Sequence, residues 1–376
     1  MLTEPLTMLF DQLRSFRSKG APWKDSSSLA IYGAGGFGRS LGRALAQGPT
    51  PVSMYLDMGA TPGQRVDGIP VLPPDSLSPS EWEGLTVIIG IHNPGVSVRR
   101  VEQDLRRNGC PQVYSPIHAL NHLEPSFGYR YWLCPSAFYL EWQSDIASAR
   151  DLLEPDSHPL FDAVLTQRLT GDYQTLPDPT HSLDDYLPAD VEPFHGPVRI
   201  VDGGAYDGDT LRGLQSHGFR LESIAAFEPD GENFTRLASW VASQPDIKAS
   251  LWPCGLYSHP TQVHFSAGQG EASAISAEGS TTIQCVSVDT AVHGLHPNLL
   301  KLDVEGAEPE ALKGAKRTIQ AYNPFIIAGL YHHPSHLWRV PRILKDLSPS
   351  HRLHLRLHAH NGFDLWLHAI PSRASA

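Results

Sequence analysis

Asp303 and Glu305 stand two positions apart in the run LKLDVEGAEPEALKGA (300–315). An apolar stretch precedes them, and Gly306 and a helix opened by Pro309 follow. Alternation along a strand puts both carboxylates on one side, just past the strand's end. Two acids so placed can act as a base, as an anchor for a hydroxyl, or as ligands for a hard cation such as Mg²⁺. The competing reading is a charge pair at a helix start, where the dipole favours acids. Glu308, beside Pro309, is expected in that cap role.

A second acid-and-glycine edge lies upstream in VDGGAYDGDT (201–210). Asp202 ends a strand, Gly203 and Gly204 make the turn, and Gly208 precedes a helix. Glycines there let a ligand approach the backbone, because a side chain would block it. The next strand ends in Phe227-Glu228-Pro229, one strand–helix–strand step later. A carboxylate at that point can accept both hydroxyls of a ribose. Asp202 and Asp207 suit a cationic ligand better than a pyrophosphate, which favours S-adenosylmethionine over a dinucleotide.

These blocks carry a resemblance. VDGGAYDGDT, FEPDGENFTRL, SVDT and LKLDVEGAEPEALKGA, in that order, resemble the FkbM family of S-adenosylmethionine-dependent O-methyltransferases. GLYHHPSHLWRVPRILKDL and HLRLHAHNGFDLWLHAIP resemble its closing segment, so the likeness runs over roughly 198–371. It implies an α/β, class I methyltransferase Rossmann-like fold and S-adenosylmethionine as cofactor. It also implies a sugar-like or natural-product hydroxyl as acceptor, in polysaccharide or natural-product biosynthesis. The cofactor positions it implies are Asp202, Gly204, Ala205 and Asp207 at the methionine end, Glu228 at the ribose, and Cys254 and Gly255 near adenine. Gly203, Tyr206 and Pro229 are further expected cofactor-binding positions. Asp303 and Glu305 fall at the methyl-transfer edge, and His332 is a second candidate base. The sequence departs from the family at His336, where an acid is expected.

A third constellation lies near the start. Gly33-Ala34-Gly35-Gly36-Phe37-Gly38 fits the G-x-G-x-x-G fingerprint, after a strand (LAIY) and before a helix. Asp57 follows at the spacing of a ribose-binding acid. No catalytic Tyr-x-x-x-Lys pair accompanies it. YLDMGATPGQRVDGIPVLPPDSL resembles the small Rossmann-like domain attached to sugar-modifying enzymes. That resemblance implies either a nucleotide-type ligand or a degenerate site used for assembly. The rival to methyl transfer is therefore an NAD(P)-dependent oxidoreductase or nucleotide-sugar-binding protein that uses Gly33, Gly35, Gly38 and Asp57.

The elements that must position these residues alternate strand and helix twice, which argues two mainly parallel sheets. At 376 residues the chain is long enough for two domains. The expected division is a smaller Rossmann-like domain over 1–120, a connector and cap over 121–190, and a methyltransferase domain over 191–376. PEALKGAKRTIQAY (309–322) reads as one helix. Leu2, Leu6, Leu9, Leu13 and Phe16 form an apolar stripe on a leading helix, which either docks on the first domain or joins two copies in a homodimer.

The net charge of −11 and the lack of a basic stripe argue against a nucleic-acid partner. The four cysteines have no C-x-x-C spacing, which fits a reduced, cytoplasmic setting. Glu4 and Asp11 interrupt the first apolar run, so no signal peptide is expected there. The longest late apolar run, 324–330, is too short to span a bilayer. The 19 histidines show no metal-ligand spacing.

Overall fold

The computed structural model describes residues 2–16, 20–46, 48, 50–123, 127–180, 187, 194–265 and 281–372. The chain divides into two compact units. Unit one comprises Met1–Ser144, Pro159–Pro179 and Ala359–Phe363, and unit two comprises Asp145–His158, Thr180–His358 and Asp364–Ala376. Parts of the expected connector, 124–126, 181–186 and 188–190, lie outside the described residues.

Unit one begins with α1 (Glu4–Phe16). Its apolar side buries Leu6 and Phe10 and half-buries Leu9 and Leu13. There follow β1 (Leu29–Tyr32), α2 (Gly36–Leu45), β2 (Val52–Leu56), β3 (Arg65–Val66) and β4 (Ile69–Leu72). Then come α3 (Pro79–Glu83), β5 (Thr86–Ile89), α4 (Val98–Arg107), β6 (Gln112–Tyr114) and α5 (Pro116–Leu120). The sheet order is β3-β4-β2-β1-β5-β6, parallel except for the β3–β4 pair at its edge. Next in the chain are α6 (Gln143–Asp151), which from Asp145 on belongs to unit two, and α7 (His158–Thr170), which from Pro159 on belongs to unit one. Gly171, at φ 74°, stops α7 as a left-handed C-terminal residue should.

Unit two carries β7 (Val198–Gly203), α8 (Asp209–Ser216), β8 (Leu221–Phe227), α9 (Gly231–Ala242) and β9 (Lys248–Trp252). A small sheet of β10 (Gly255–Leu256), β11 (Thr261–Phe265) and β12 (Thr281–Val286) follows, in the order β10-β12-β11. The strand expected over QVHFSAG runs on to 266–268, which lie outside the described residues. Next are α10 (Val288–Ala291), β13 (Leu299–Leu302), α11 (Glu308–Gly314), α12 (Lys316–Tyr322) and β14 (Phe325–Gly329). α13 (His336–Leu347), β15 (Arg352–Leu357) and β16 (Leu365–Ile370) close the unit.

The large sheet runs β15-β16-β14-β13-β7-β8-β9. It is parallel from β14 to β9, while β16 runs antiparallel to both β14 and β15. β13, β14 and β16 are buried along their whole length, as strands covered on both faces should be.

The helix expected over 309–322 is two helices. The break falls at Ala315 (φ −104°, ψ 7°). Just before it, the backbone of Gly314 packs on the Tyr257 carbonyl, where a β-carbon would come within 2.1 Å of that oxygen. Glycine permits this approach and favours the helix poorly, so the chain turns there.

Candidate active site

β7 sits between β8 and β13, so the strand order reverses at β7. Crevices in open α/β sheets form at the carboxyl ends of strands flanking such a reversal. Asp202 and Gly203 end β7, and Asp303 follows β13, so both acid runs lie at this point. Gly204 presses the two loops together. It holds φ 72°, and a β-carbon there would lie 1.9 Å from the Asp303 carbonyl oxygen, so only glycine fits. Tyr206 (φ 47°) and Glu305 (φ 53°) are left-handed without being glycine. Each costs about 1–2 kcal/mol, and such strain gathers at functional loops.

Lys301 is a residue the sequence analysis passed over. It is paired with Asp202 across β7–β13 and is fully buried. Its ammonium donates to the Gly204 carbonyl at 2.7 Å and lies 3.3 Å from Asp202 Oδ1 and 3.8 Å from Asp303 Oδ2. Burial pushes the Asp202 carboxyl up to about 6, against the pull of Lys301. The available signal was a lysine inside a run of buried leucines, where a cation needs a carboxylate partner.

Glu228 is buried and pre-oriented. One carboxylate oxygen accepts the Tyr206 N–H at 2.9 Å and the other the Asp230 N–H at 2.8 Å. Burial raises its pKa, with these donors opposing. The Glu228 N–H donates to the Trp252 carbonyl, two residues before Cys254. Cys254 and Gly255 are buried, and burial raises the Cys254 thiol to about 11. Ala205 is fully buried and Pro229 half-buried. Asp207 is ion-paired with Arg212 on α8, so its carboxylate already has a cation.

His332, just after β14, meets the acids from three sides. Its Nδ1 is bonded to Glu308 Oε1 at 2.7 Å, and its Nε2 lies 3.4 Å from both Asp303 Oδ1 and Glu305 Oε2. Tyr331 donates its hydroxyl to Asp303 Oδ1 at 2.9 Å. Burial would lower His332, but Glu308 first and Glu305 next carry it up to about 10, so it is an imidazolium. Burial is also the main cause that lifts Glu305 to about 8, with His332 opposing and Asp303 and Glu308 adding.

Glu308 corrects the expectation of a simple helix cap. It is wholly buried, accepts the Val304 N–H at 2.9 Å, and sets Oε2 3.2 Å from His336 Nδ1. Burial alone would raise it, but His332 above all brings it down to about 2. His336 is held neutral, near 3, by burial. Asp364, also passed over, joins the cluster's electrostatics: burial and then Asp303 raise it to about 6.

Asp303, Glu308 and His332 have ligand atoms within 4.8 Å of one another, close enough to hold a metal. Glu305 is not in that group. The set fits Mg²⁺ poorly. His332 spends Nδ1 on Glu308, and Lys301 and Tyr331 crowd Asp303, whereas Mg²⁺ seeks an all-oxygen shell.

In unit one, the Gly33–Gly38 turn joins β1 to α2, and Asp57 follows β2. The Asp57 carboxylate accepts the Ala34 N–H at 2.7 Å and the Gly59 N–H at 2.8 Å.

Residues 202–365 match the family model of the methyltransferase FkbM domain. The chain carries an FkbM domain. A curated relative is the hexuronic acid methyltransferase AglP of Haloferax volcanii, 34% identical over 115 residues. That match takes in 29% of this chain and 47% of AglP, about half the relative's length. The crystal structure of methyltransferase FkbM from Methylobacillus flagellatus superposes with a TM-score of 0.78 at 21% identity. It covers 97% of this chain and 98% of that one, and so shares the fold of both units. Asp202, Glu228, Asp303, Glu305, Glu308, His332 and Asp364 all lie inside the FkbM domain. Among the described residues, no helix is long and apolar enough to cross a membrane.

Proposed function

We propose that the FkbM domain transfers a methyl group from S-adenosylmethionine to a hydroxyl oxygen of a sugar or related acceptor, with Glu305 as the base. The observation that carries this reading is the pair of acid edges, Asp202 with Glu228 and Asp303 with Glu305, gathered where the strand order reverses. The family match supports methyl transfer, and the name of the AglP relative supports a sugar acceptor.

S-adenosylmethionine supplies a sulfonium-bound methyl. Glu228, fixed by two backbone donors, accepts the ribose hydroxyls, and Asp202 with the Gly203–Gly204 turn receives the methionine end. Asp303, held by Tyr331, His332 and Lys301, anchors the acceptor hydroxyl in line with the methyl carbon. The oxygen forms its bond to that carbon as the carbon–sulfur bond breaks, leaving S-adenosylhomocysteine. The hydroxyl proton passes to Glu305. A base near pKa 8 combines adequate ionisation with proton affinity close to neutral pH. His332 stays charged and steadies both carboxylates.

Incubation with S-adenosylmethionine and a panel of free and nucleotide-linked hexuronic acids and neutral sugars tests this directly. A gain of one methyl on oxygen, read by mass spectrometry, is expected, and methylation of carbon or nitrogen only would sink it. Glu228→Gln is expected to weaken S-adenosylmethionine binding roughly 10–100-fold, since a hydrogen bond to a charged group is lost. Calorimetric titration of the cofactor checks this. Because the acid cluster suits protons better than Mg²⁺, an EDTA titration is expected to leave the rate unchanged.

A further inference from the structure

Asp364 lies in the acid cluster of unit two, yet neither the cofactor nor the acceptor proton uses it. Its place is set by the sheet. β14 and β16 pair Gly329 with Trp366, and the Leu330 N–H donates to the Leu365 carbonyl at 2.8 Å. The pairing so continued brings Asp364 beside Tyr331, and both belong to unit two. Like Tyr206 and Glu305, Asp364 is left-handed without being glycine, at φ 49°. Such strain gathers at functional loops.

The Tyr331 hydroxyl links Asp364 to the reacting edge. It donates to Asp303 Oδ1 at 2.9 Å and also hydrogen-bonds the Asp364 carboxyl. A phenol has one proton to give, so it serves one carboxylate at a time. Its ring is fixed by packing on His332, 4.1 Å between ring centres, and on Trp366, at 5.9 Å. Asp303 has other cations near: the Lys301 ammonium at 3.8 Å and His332 Nε2 at 3.4 Å. Asp364 makes no ion pair among the described residues. Burial first, and Asp303 next, weigh against its charge, so the carboxylate gains from each further donor. It is half-buried, not sealed in as Glu308 is. Two carboxylates that meet at one phenol oxygen have oxygens within about 6 Å of each other. Neighbouring hydroxyls of one sugar ring can reach both, with one bond to each.

We infer that Asp364 accepts a hydrogen bond from a second acceptor hydroxyl, on the carbon next to the one methylated, and that the substrate is therefore a vicinal diol. This rests on the methyl-transfer reading in which Asp303 anchors the reacting hydroxyl. Asp364 then selects which hydroxyl of the ring is methylated, because the chosen one must have a neighbour that engages the second carboxylate.

The test uses the full chain, S-adenosylmethionine, and methyl glycosides of glucuronic, galacturonic and mannuronic acid and of glucose, galactose and mannose, each with its monodeoxy derivatives. Mass spectrometry locates the new methyl, and kcat/KM is compared between each sugar and its derivatives. Loss of the hydroxyl next to the methylated oxygen is expected to lower the parent's kcat/KM roughly 10–100-fold, the value of a hydrogen bond to a charged group. Asp364→Gly accepts left-handed backbone without strain. It should turn over the deoxy and complete sugars at equal kcat/KM, with S-adenosylmethionine affinity within a few-fold of the parent. A purely structural Asp364 would slow both sugars alike and leave their ratio at the parent value. Should Asp364→Gly not fold, Asp364→Asn keeps the side-chain shape, removes the charge and is expected to reduce that ratio. A parent indifferent to the adjoining hydroxyl, or a ratio unchanged in the variants, overturns the inference while the methyl-transfer reading stands. Failure of every sugar in the panel to gain an O-methyl group overturns both.

Discussion

Glu305→Gln is expected to lower kcat by about 10²–10⁴-fold, the usual contribution of a positioned base. S-adenosylmethionine affinity should stay within a few-fold, because no cofactor contact is assigned to Glu305. Glutamine keeps the shape and the contact with His332 but cannot take the acceptor's proton. The pH profile carries the sign. Burial raises Glu305 to about 8, so its ionised, base-competent form grows as pH rises through that value. For the parent, kcat/KM should climb through about pH 8 and level above it. The limb in kcat should lie lower, since a bound sulfonium favours the carboxylate and kcat reports the ternary complex. Glu305→Gln should erase the limb. A variant that keeps both the rate and the limb would transfer the role to another group.

Glu308→Gln is expected to destabilise unit two by about 3–5 kcal/mol, the usual cost of removing one member of a buried ion pair. Glu308 is wholly buried against a charged His332. Amide replacement leaves that imidazolium with only the more exposed Asp303 and Glu305, whose side chains are 24% and 22% accessible. The pH dependence has two arms. Glu308 is lowered to about 2 from 4.5, so its contribution is present above 4.5 and lost as pH falls towards 2. His332 is raised to about 10 from 6.5, so its contribution is full below 6.5 and lost as pH rises through about 10. Urea unfolding across this range should show the parent losing stability at both ends, with a flatter profile for Glu308→Gln. Coincident parent and variant profiles would mean the pair contributes nothing net.

Much of the frame was legible because it is local. LKLD and VRIVDGG read as strands because apolar residues run without interruption, and β13 and β7 are indeed buried strands ending at those acids. The glycine turns were legible because left-handed backbone and close approach admit little else, as Gly204 against the Asp303 carbonyl illustrates. The family resemblance rested on the order of such blocks, and the FkbM match falls on the same stretch.

What one-dimensional spacing could not give was the partner of each charge. Lys301 lies one position from the strand end, yet only the β7–β13 register sets its ammonium between Asp202 and Asp303. Glu308 has every local mark of a helix-start acid: a neighbouring proline and a favourable dipole. The return of the chain through β14 brings His332 onto it from 24 residues away and turns a cap into a buried ion pair. Residue types and local backbone chemistry are written in sequence, and they determined which acids stand at the strand ends. The burial and the neighbours that set each proton's affinity come from contacts between distant segments, and only the tertiary structure decides them.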